Sequence, residues 1–156
     1  MINFNELRDR AYNTACRHGW HEEELSDDHC LMMIITEIAE AVQADRKGEA
    51  THCDEELADV IIRCLDLAGL RNIDIFIEEK EVPQYMERYL NAPFTEFAYL
   101  LCYGLTTEDM LIDKLRDVIG GVFLYCKHKG IDIEYFIEQK MKYNETRPYK
   151  HGGKKY

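Results

Sequence analysis

The sequence predicts an all-α protein, a helical bundle that forms one domain over residues 1–156. Apolar residues recur at helical spacing along most of the chain, and no segment alternates apolar and polar residues as an exposed strand does. Hydrophobic side chains make up 46% of the residues, which is enough for a packed core and argues against disorder.

Glycines and capping residues delimit the first two helices. The first helix is predicted over 5–18 and ends at Gly19, because glycine favours the backbone that terminates a helix. The second begins at a cap formed by Ser26 or Asp27, whose side-chain oxygens accept hydrogen bonds from the first turn. It continues to Gly48, the next termination signal.

The same signals predict three helices in the middle of the chain. Thr51 caps the third helix, which is expected to break at Gly69. Asp74 starts a short helix that Pro83 interrupts or bends, because proline lacks the backbone N–H that a helix needs. Pro93 then opens a helix through about residue 103, since proline is well tolerated in a first turn.

Two further helices complete the chain. Thr107 caps the first of them, and within it Gly120 and Gly121 form either a weak point or a site of close packing. Asp132 caps the last helix, which is expected to end before Pro148.

The net charge of −11 excludes general nucleic-acid binding, which needs a basic surface. The charge is unevenly distributed, because residues 140–156 contain six basic side chains and one acidic side chain. This basic tail either aids solubility or supplies cations to a phosphate bound at the acidic body.

The composition predicts a cytoplasmic protein with no membrane partner. No apolar run approaches the length of a membrane span, and the N-terminus has neither the basic nor the apolar region of a signal peptide. None of the six cysteines forms a CxxC pair, so we expect reduced thiols in the core and neither a disulfide framework nor a zinc site. The cysteines are Cys16, Cys30, Cys53, Cys64, Cys102 and Cys126.

A pattern of residues recurs along the chain and suggests an internal repeat, about 28–80 and 94–147. Leucine, aspartate, valine and isoleucine at 57, 59, 60 and 61 recur 58 positions later, as does the Ile-Asp-Ile sequence that begins at 73. The match arises either from a duplication or from the chance likeness of two amphipathic helices. In the second copy Glu40 becomes Tyr99 and Glu56 becomes Lys114, so that copy would have lost the acidic cluster and kept the scaffold.

Two pairs of acidic residues lie on consecutive helices. Glu37 and Glu40 are three positions apart on the second helix, and Glu56 and Asp59 are three apart on the third. That spacing places each pair on one face of its helix. The neighbouring residues on those faces are apolar, so the acids lie beside the core stripe.

A short turn near Gly48 would bring the two pairs face to face. Clustered and partly buried carboxylates repel each other and lose hydration, so either their pKa values rise or cations lie among them. Magnesium takes oxygen ligands and works with phosphate substrates, whereas helical di-iron sites would need histidine in the pairs. The alternative is that both pairs lie on ordinary solvated helix faces.

Four segments of the chain resemble the MazG-like nucleotide pyrophosphohydrolases. Segments 31–41 and 54–63 are similar to that family's ExxE…ExxD signature and read LMMIITEIAEA and DEELADVIIR. Segment 140–152, KMKYNETRPYKHG, is similar to the family's closing segment, in which Lys, Asn and Arg-Pro follow in order. His18-Gly19-Trp20 resembles a turn near the start of some members.

The resemblance implies a fold, an activity and a set of site residues. It implies a MazG-like helical bundle that uses Mg²⁺, or Mn²⁺ in its place, to hydrolyse a nucleoside triphosphate, (d)NTP, to (d)NMP and pyrophosphate. It also implies a homodimer or higher homo-oligomer. The acids of both pairs would bind metal and act in catalysis, and a basic and polar set would bind substrate. The acids are Glu37, Glu40, Glu56 and Asp59, and the substrate set is Lys140, Asn144, Arg147, Arg46, Lys47 and Trp20.

The chain departs from the family pattern between about 81 and 113, where a further helical segment precedes the Lys140 helix. If the repeat is real, the acids come from the first copy and Lys140 from the second. The alternative function is a catalytically degenerate MazG-like protein that binds nucleotide or serves as a helical interaction module. Trp20 either stacks on a base or packs in the core, and Arg63 is expected to pair with Asp66.

Overall fold

The computed structural model describes residues 2–77, 87–103 and 107–153, and these residues form eight helices and no strand. The all-α prediction is therefore confirmed. The helices are α1 (Phe4–Arg17), α2 (Asp27–Lys47), α3 (Ala50–Leu70), α4 (Glu87–Asn91), α5 (Pro93–Cys102), α6 (Glu108–Lys129), α7 (Ile133–Thr146) and α8 (Lys150–Gly153). The last of these is a single turn in which His151 and Gly152 have left-handed backbone angles.

Several predicted helix ends are confirmed by hydrogen bonds. The Ser26 hydroxyl accepts from the backbone N–H of His29 at 3.2 Å, and α2 ends at Gly48 in the left-handed region with φ 74°. Thr107 and Asp132 cap α6 and α7 in the same way. These ends depend on local side-chain chemistry, which is why the sequence predicts them.

The predicted ends of α3 are wrong at both termini. The helix begins at Ala50 with Glu49 before it, and no side chain caps its first turn, so Thr51 lies inside the helix. It also continues through Gly69 to Leu70. A Cβ atom on Gly69 would lie 2.5 Å from the Cβ of Tyr12 on α1. Gly69 therefore lies in the last turn of α3, at a close contact with α1.

The helix predicted from Asp74 is also wrong over residues 74–77. This stretch is not helical. Ile73 and Ile75 are buried, and the side chain of Asn5 accepts the backbone N–H of Ile75 at 2.9 Å. Contacts with α1 therefore fix the conformation of this segment, which has no helical hydrogen bonds of its own. Pro83, predicted to bend the same helix, lies outside the described residues.

α3 is the central helix of the bundle, and it packs against α1, α2, α6 and α7. Helices α2 and α3 form a hairpin through the turn at Gly48, and this pair has the most extensive contact in the described structure. Helix α6 continues through Gly120 and Gly121. A Cβ atom on Gly121 would lie 2.4 Å from the Tyr89 ring, so the close-packing alternative is the one observed.

The geometry of α6 is relevant to the suggested repeat, which stays a prediction. Helix α3 begins at Ala50 and α6 at Glu108, a separation equal to the 58-residue offset of the sequence match. Lys114, at the position of Glu56, is buried and donates to the carbonyls of Leu100, Leu101 and Tyr103 at 3.3, 2.9 and 2.6 Å. It thereby satisfies backbone acceptors at the end of α5.

The six cysteines all have free thiols. Cys53, Cys64 and Cys126 are buried as expected, but Cys16 and Cys102 are exposed, so the prediction of core thiols holds for only part of the set. Within the described residues, no helix has the length and apolar character that a membrane span requires.

Candidate functional site

A cavity of about 440 Å³ lies between α1, α2, α3 and α7. Acidic residues of α2 and α3 line one part of it, and Lys140, Asn144 and Arg147 line another. The cavity therefore brings together the acidic pairs and the C-terminal segment, which lie far apart in the sequence.

Three acidic side chains form a tight group at this cavity, which we call the acid trio: Glu37, Glu56 and Asp59. One carboxylate oxygen from each residue lies within 4.8 Å of the other two. Glu37 is 8% exposed and Glu56 is 4% exposed. The trio arises because the α2–α3 hairpin turns the acidic faces of both helices toward each other.

Glu40, the fourth predicted acid, is placed differently. It lines the same cavity but is exposed, and it does not belong to the acid trio. It lies three residues after Glu37 on α2, and its side chain faces solvent. The structure thus places three of the four acids together and the fourth beside them.

Basic side chains contact each member of the acid trio. Lys140 Nζ lies 2.5 Å from Asp59 Oδ2, and Arg63 Nε donates to Glu37 Oε1 at 2.9 Å. His52 Nδ1 lies 3.3 Å from Glu56 Oε1. Asp59 and Glu37 therefore have protein countercharges within reach, and Glu56 has an imidazole nitrogen beside it.

The expected pairing of Arg63 with Asp66 is wrong. Asp66 instead lies 2.7 Å from His21 Nε2, and Arg63 reaches across to α2. The i,i+3 spacing permits the local pair, but the buried carboxylate of Glu37 is the acceptor that most needs a cation.

Burial changes the protonation of two trio members. Desolvation raises the pKa of Glu56 to about 7, and the nearby acids add to this while Lys140 opposes it. Desolvation likewise raises the pKa of Asp59 to about 6, against the attraction and the hydrogen bond of Lys140. Burial lowers the pKa of Lys140, but Asp59 and Glu56 offset this, so its pKa lies above the ordinary value.

The predicted substrate-binding residues divide into two groups. Lys140, Asn144, Arg147 and Trp20 line the cavity, whereas Arg46 and Lys47 are not among its lining residues. The last two are exposed at the C-terminal end of α2, and the nearest acid to Lys47 Nζ is Glu49 at 4.0 Å. Because α2 rises about 1.5 Å per residue, its end lies on the order of 10 Å beyond the acid trio.

Trp20 belongs to an aromatic group that the sequence reasoning only partly identified. Its ring meets His151 edge to face, with ring centroids 4.9 Å apart, and His18 lies 6.2 Å from His151. All three residues line the cavity. The motif His18-Gly19-Trp20 pointed toward His18, but nothing in the sequence placed His151 beside it.

The C-terminal segment reaches this place by docking on the turn after α1. Tyr149 donates its hydroxyl to Glu22 Oε2 at 2.5 Å, and the Lys150 N–H donates to the His18 carbonyl at 2.9 Å. Gly19 has φ +79°, and a Cβ there would lie 2.4 Å from the Tyr149 ring. Glycine is therefore required at 19 for both its backbone angle and this contact.

Comparisons with known proteins give no relative. No protein-family model matches the chain, and neither does any curated protein or solved structure. The chemistry of the site therefore has to follow from its own residues. Three convergent carboxylate oxygens, without His or Cys among them, are a donor set suited to a hard divalent cation.

Proposed function

We propose that the protein is a magnesium-dependent nucleoside triphosphate pyrophosphohydrolase that converts (d)NTP and water to (d)NMP and pyrophosphate. The observation that carries the proposal is the convergence of carboxylate oxygens from Glu37, Glu56 and Asp59 within 4.8 Å of one another, at a cavity that Lys140 and Asn144 also line. The arrangement combines ligands for a cation with donors for a phosphate.

The acid trio would hold Mg²⁺, or Mn²⁺ in its place, with Glu40 at the edge of the site. When bound, such an ion neutralises phosphate oxygens and lowers the pKa of water. The side chains of the protein would orient the phosphates and limit the access of bulk water.

Residues of α7 and of the segment after it would orient the substrate. Lys140 and Asn144 are four apart and therefore lie on one face of α7, from which an ammonium and an amide can donate to phosphate or sugar oxygens. Arg147 lines the same cavity and offers a planar guanidinium. Trp20, with His151 against its edge, gives an aromatic wall for a base.

The size of the cavity supports a substrate of this class. At about 440 Å³ it lies within the range of small-molecule and cofactor sites. The resemblance to MazG-like proteins supports the same reading. The cytoplasmic location and the assembly into a homodimer or higher homo-oligomer are parts of this proposal.

A second candidate is a catalytically degenerate protein that binds nucleotide without turnover. Two members of the acid trio, Asp59 and Glu37, have protein cations at hydrogen-bonding distance, which lessens the need for metal. This observation favours a binding role. The two candidates differ in one respect, which is the release of pyrophosphate.

The test is a pyrophosphate-release assay over a panel of standard and damaged (d)NTPs, with and without Mg²⁺. We expect release that depends on Mg²⁺ and falls at least about 100-fold in Asp59→Asn, a loss typical when one electrostatic group is removed from an active site. Asp117→Asn is the matched control, because Asp117 is exposed on α6 and does not line the cavity. Nucleotide binding without any release would favour the second candidate.

A further inference from the structure

The acid trio is stabilised by two cations of the chain itself. Lys140 Nζ lies 2.5 Å from Asp59 Oδ2, and the two side chains are only 19% and 18% exposed, so water screens this ion pair poorly. Arg63 Nε lies 2.9 Å from Glu37 Oε1, but the Arg63 side chain is 41% exposed. Two of the three carboxylates therefore have a countercharge without any metal ion.

A divalent ion at the acid trio would use the same carboxylates. All three carboxylates contribute an oxygen to one space 4.8 Å across, so an ion placed there would lie close to the Lys140 ammonium. Like charges at such a distance repel each other strongly in a partly buried site. Entry of a free ion therefore requires Lys140 to leave Asp59, and this would leave a half-buried ammonium without a partner.

A bound nucleotide removes the cost of leaving the Lys140 ammonium without a partner. Its phosphate oxygens are acceptors for a charged donor, and Lys140 lines the same cavity one helical turn before Asn144. The ammonium could move from Asp59 to a phosphate and keep a partner throughout. The oxygens of Asp59 would then be available to the cation that accompanies the nucleotide.

We propose that Lys140 is a resident counter-ion that makes divalent-cation binding depend on the nucleotide. The free cation binds weakly because it must displace Lys140 from Asp59. The cation–nucleotide complex binds well because its phosphates accept Lys140. The inference rests on the proposed function and adds to it that the ligand is the cation–nucleotide complex. Arg63 has the same effect at Glu37, but a smaller one because it is more exposed.

The test is the affinity for Mn²⁺ without nucleotide, measured by calorimetry and by electron paramagnetic resonance. We expect Lys140→Met to bind Mn²⁺ about tenfold more tightly than the wild type, which corresponds to about 1.4 kcal/mol. Lys142→Met is the matched control, because Lys142 is on the same helix but is 61% exposed and pairs with Glu138. Its affinity should equal that of the wild type.

A second variant guards against a folding defect in the first. Arg63→Gln should tighten Mn²⁺ binding about threefold, and circular dichroism shows whether each variant is folded. Equal or weaker Mn²⁺ binding in the folded variants would overturn the inference.

The pyrophosphate assay separates this inference from the proposed function. Turnover by the wild type together with unchanged Mn²⁺ affinity in Lys140→Met would reject the inference alone. Tighter Mn²⁺ binding in that variant, with no release from any nucleotide by the wild type, would reject the proposed function alone.

Discussion

The ion pair between Lys140 and Asp59, at 2.5 Å, joins α7 to the central helix α3 across 81 positions of sequence. It shows that part of the basic C-terminal segment lies in the wall of the cavity and is not simply a solubilising tail. Lys140, Asn144 and Arg147 all line the cavity, and the segment after them docks on the turn at Gly19. The two ends of the chain therefore complete a site whose acids come from its first half.

The raised pKa of Glu56 predicts how the stability of the metal-free protein depends on pH. Its pKa is about 7 in the folded state against an ordinary value of 4.5, so between these values the folded protein binds more protons than the unfolded one. The free energy of unfolding should therefore fall as pH rises from about 4.5 to 7, by on the order of 3 kcal/mol, and then level off. Asp59, raised to about 6, adds a change of the same sign.

Chemical denaturation at several pH values, with a chelator present, measures this slope. Glu56→Gln should reduce the slope to the part that Asp59 contributes, because the amide does not titrate. Glu55→Gln is the control, since Glu55 is the adjacent residue but its side chain is 43% exposed. An identical slope in wild type and Glu56→Gln would mean that Glu56 has an ordinary pKa.

The adjacent glycines of α6 should respond in opposite ways to alanine. At Gly121 a Cβ would lie 2.4 Å from the Tyr89 ring and 3.0 Å from that of Phe97, so Gly121→Ala should destabilise the protein by about 1–3 kcal/mol. At Gly120 the nearest atom is Ile77 Cγ2, at 3.8 Å. Gly120→Ala should therefore stabilise by up to about 1 kcal/mol, the difference in helix propensity.

Thermal and urea unfolding of the two glycine variants provide the comparison, and each variant serves as the control for the other. Similar free-energy changes at both positions would contradict the close packing of α4 and α5 on α6.

Ser26 and Thr51, the residues predicted to cap α2 and α3, should respond differently to substitution by alanine. Ser26 accepts a hydrogen bond from the N–H of His29, so Ser26→Ala should cost about 1 kcal/mol of stability. Thr51 lies inside α3 and makes no cap, so Thr51→Ala should be neutral or slightly stabilising, because alanine has the higher helix propensity. Urea unfolding of both variants tests this, and a larger loss for Thr51→Ala would show that Thr51 caps α3 and that the helix begins two residues later.

These elements show how far the sequence predicts the fold. Ser26, Gly48, Thr107 and Asp132 mark helix ends through local chemistry, and the predicted ends are confirmed. Gly69 has the same sequence signature as a helix end, but its role is set by Tyr12 of another helix. A local pattern cannot distinguish a glycine that ends a helix from one on which a neighbouring helix packs.

The candidate site was predictable to a similar extent. Helical spacing together with the predicted turn near Gly48 placed Glu37, Glu56 and Asp59 on facing stripes, and the structure brings their oxygens together. The sequence did not reveal that Arg63 crosses to Glu37, because its nearer partner along the helix was Asp66. Such cross-helix choices depend on which carboxylate is buried, and burial is a property of the packed chain.

The most direct measurement is the thermal stability of the wild type and of the double variant Glu37→Gln, Glu56→Gln with increasing Mg²⁺ or Mn²⁺, in the presence of a non-hydrolysable nucleoside triphosphate at a fixed concentration. An ion that binds only the folded state, at about 100 times its Kd, stabilises by about 2.7 kcal/mol, so the wild-type Tm should rise by roughly 5 °C or more. The double variant should show no rise, while Asp117→Asn should behave as the wild type. Equal rises in the wild type and the double variant would contradict cation binding by the acid trio.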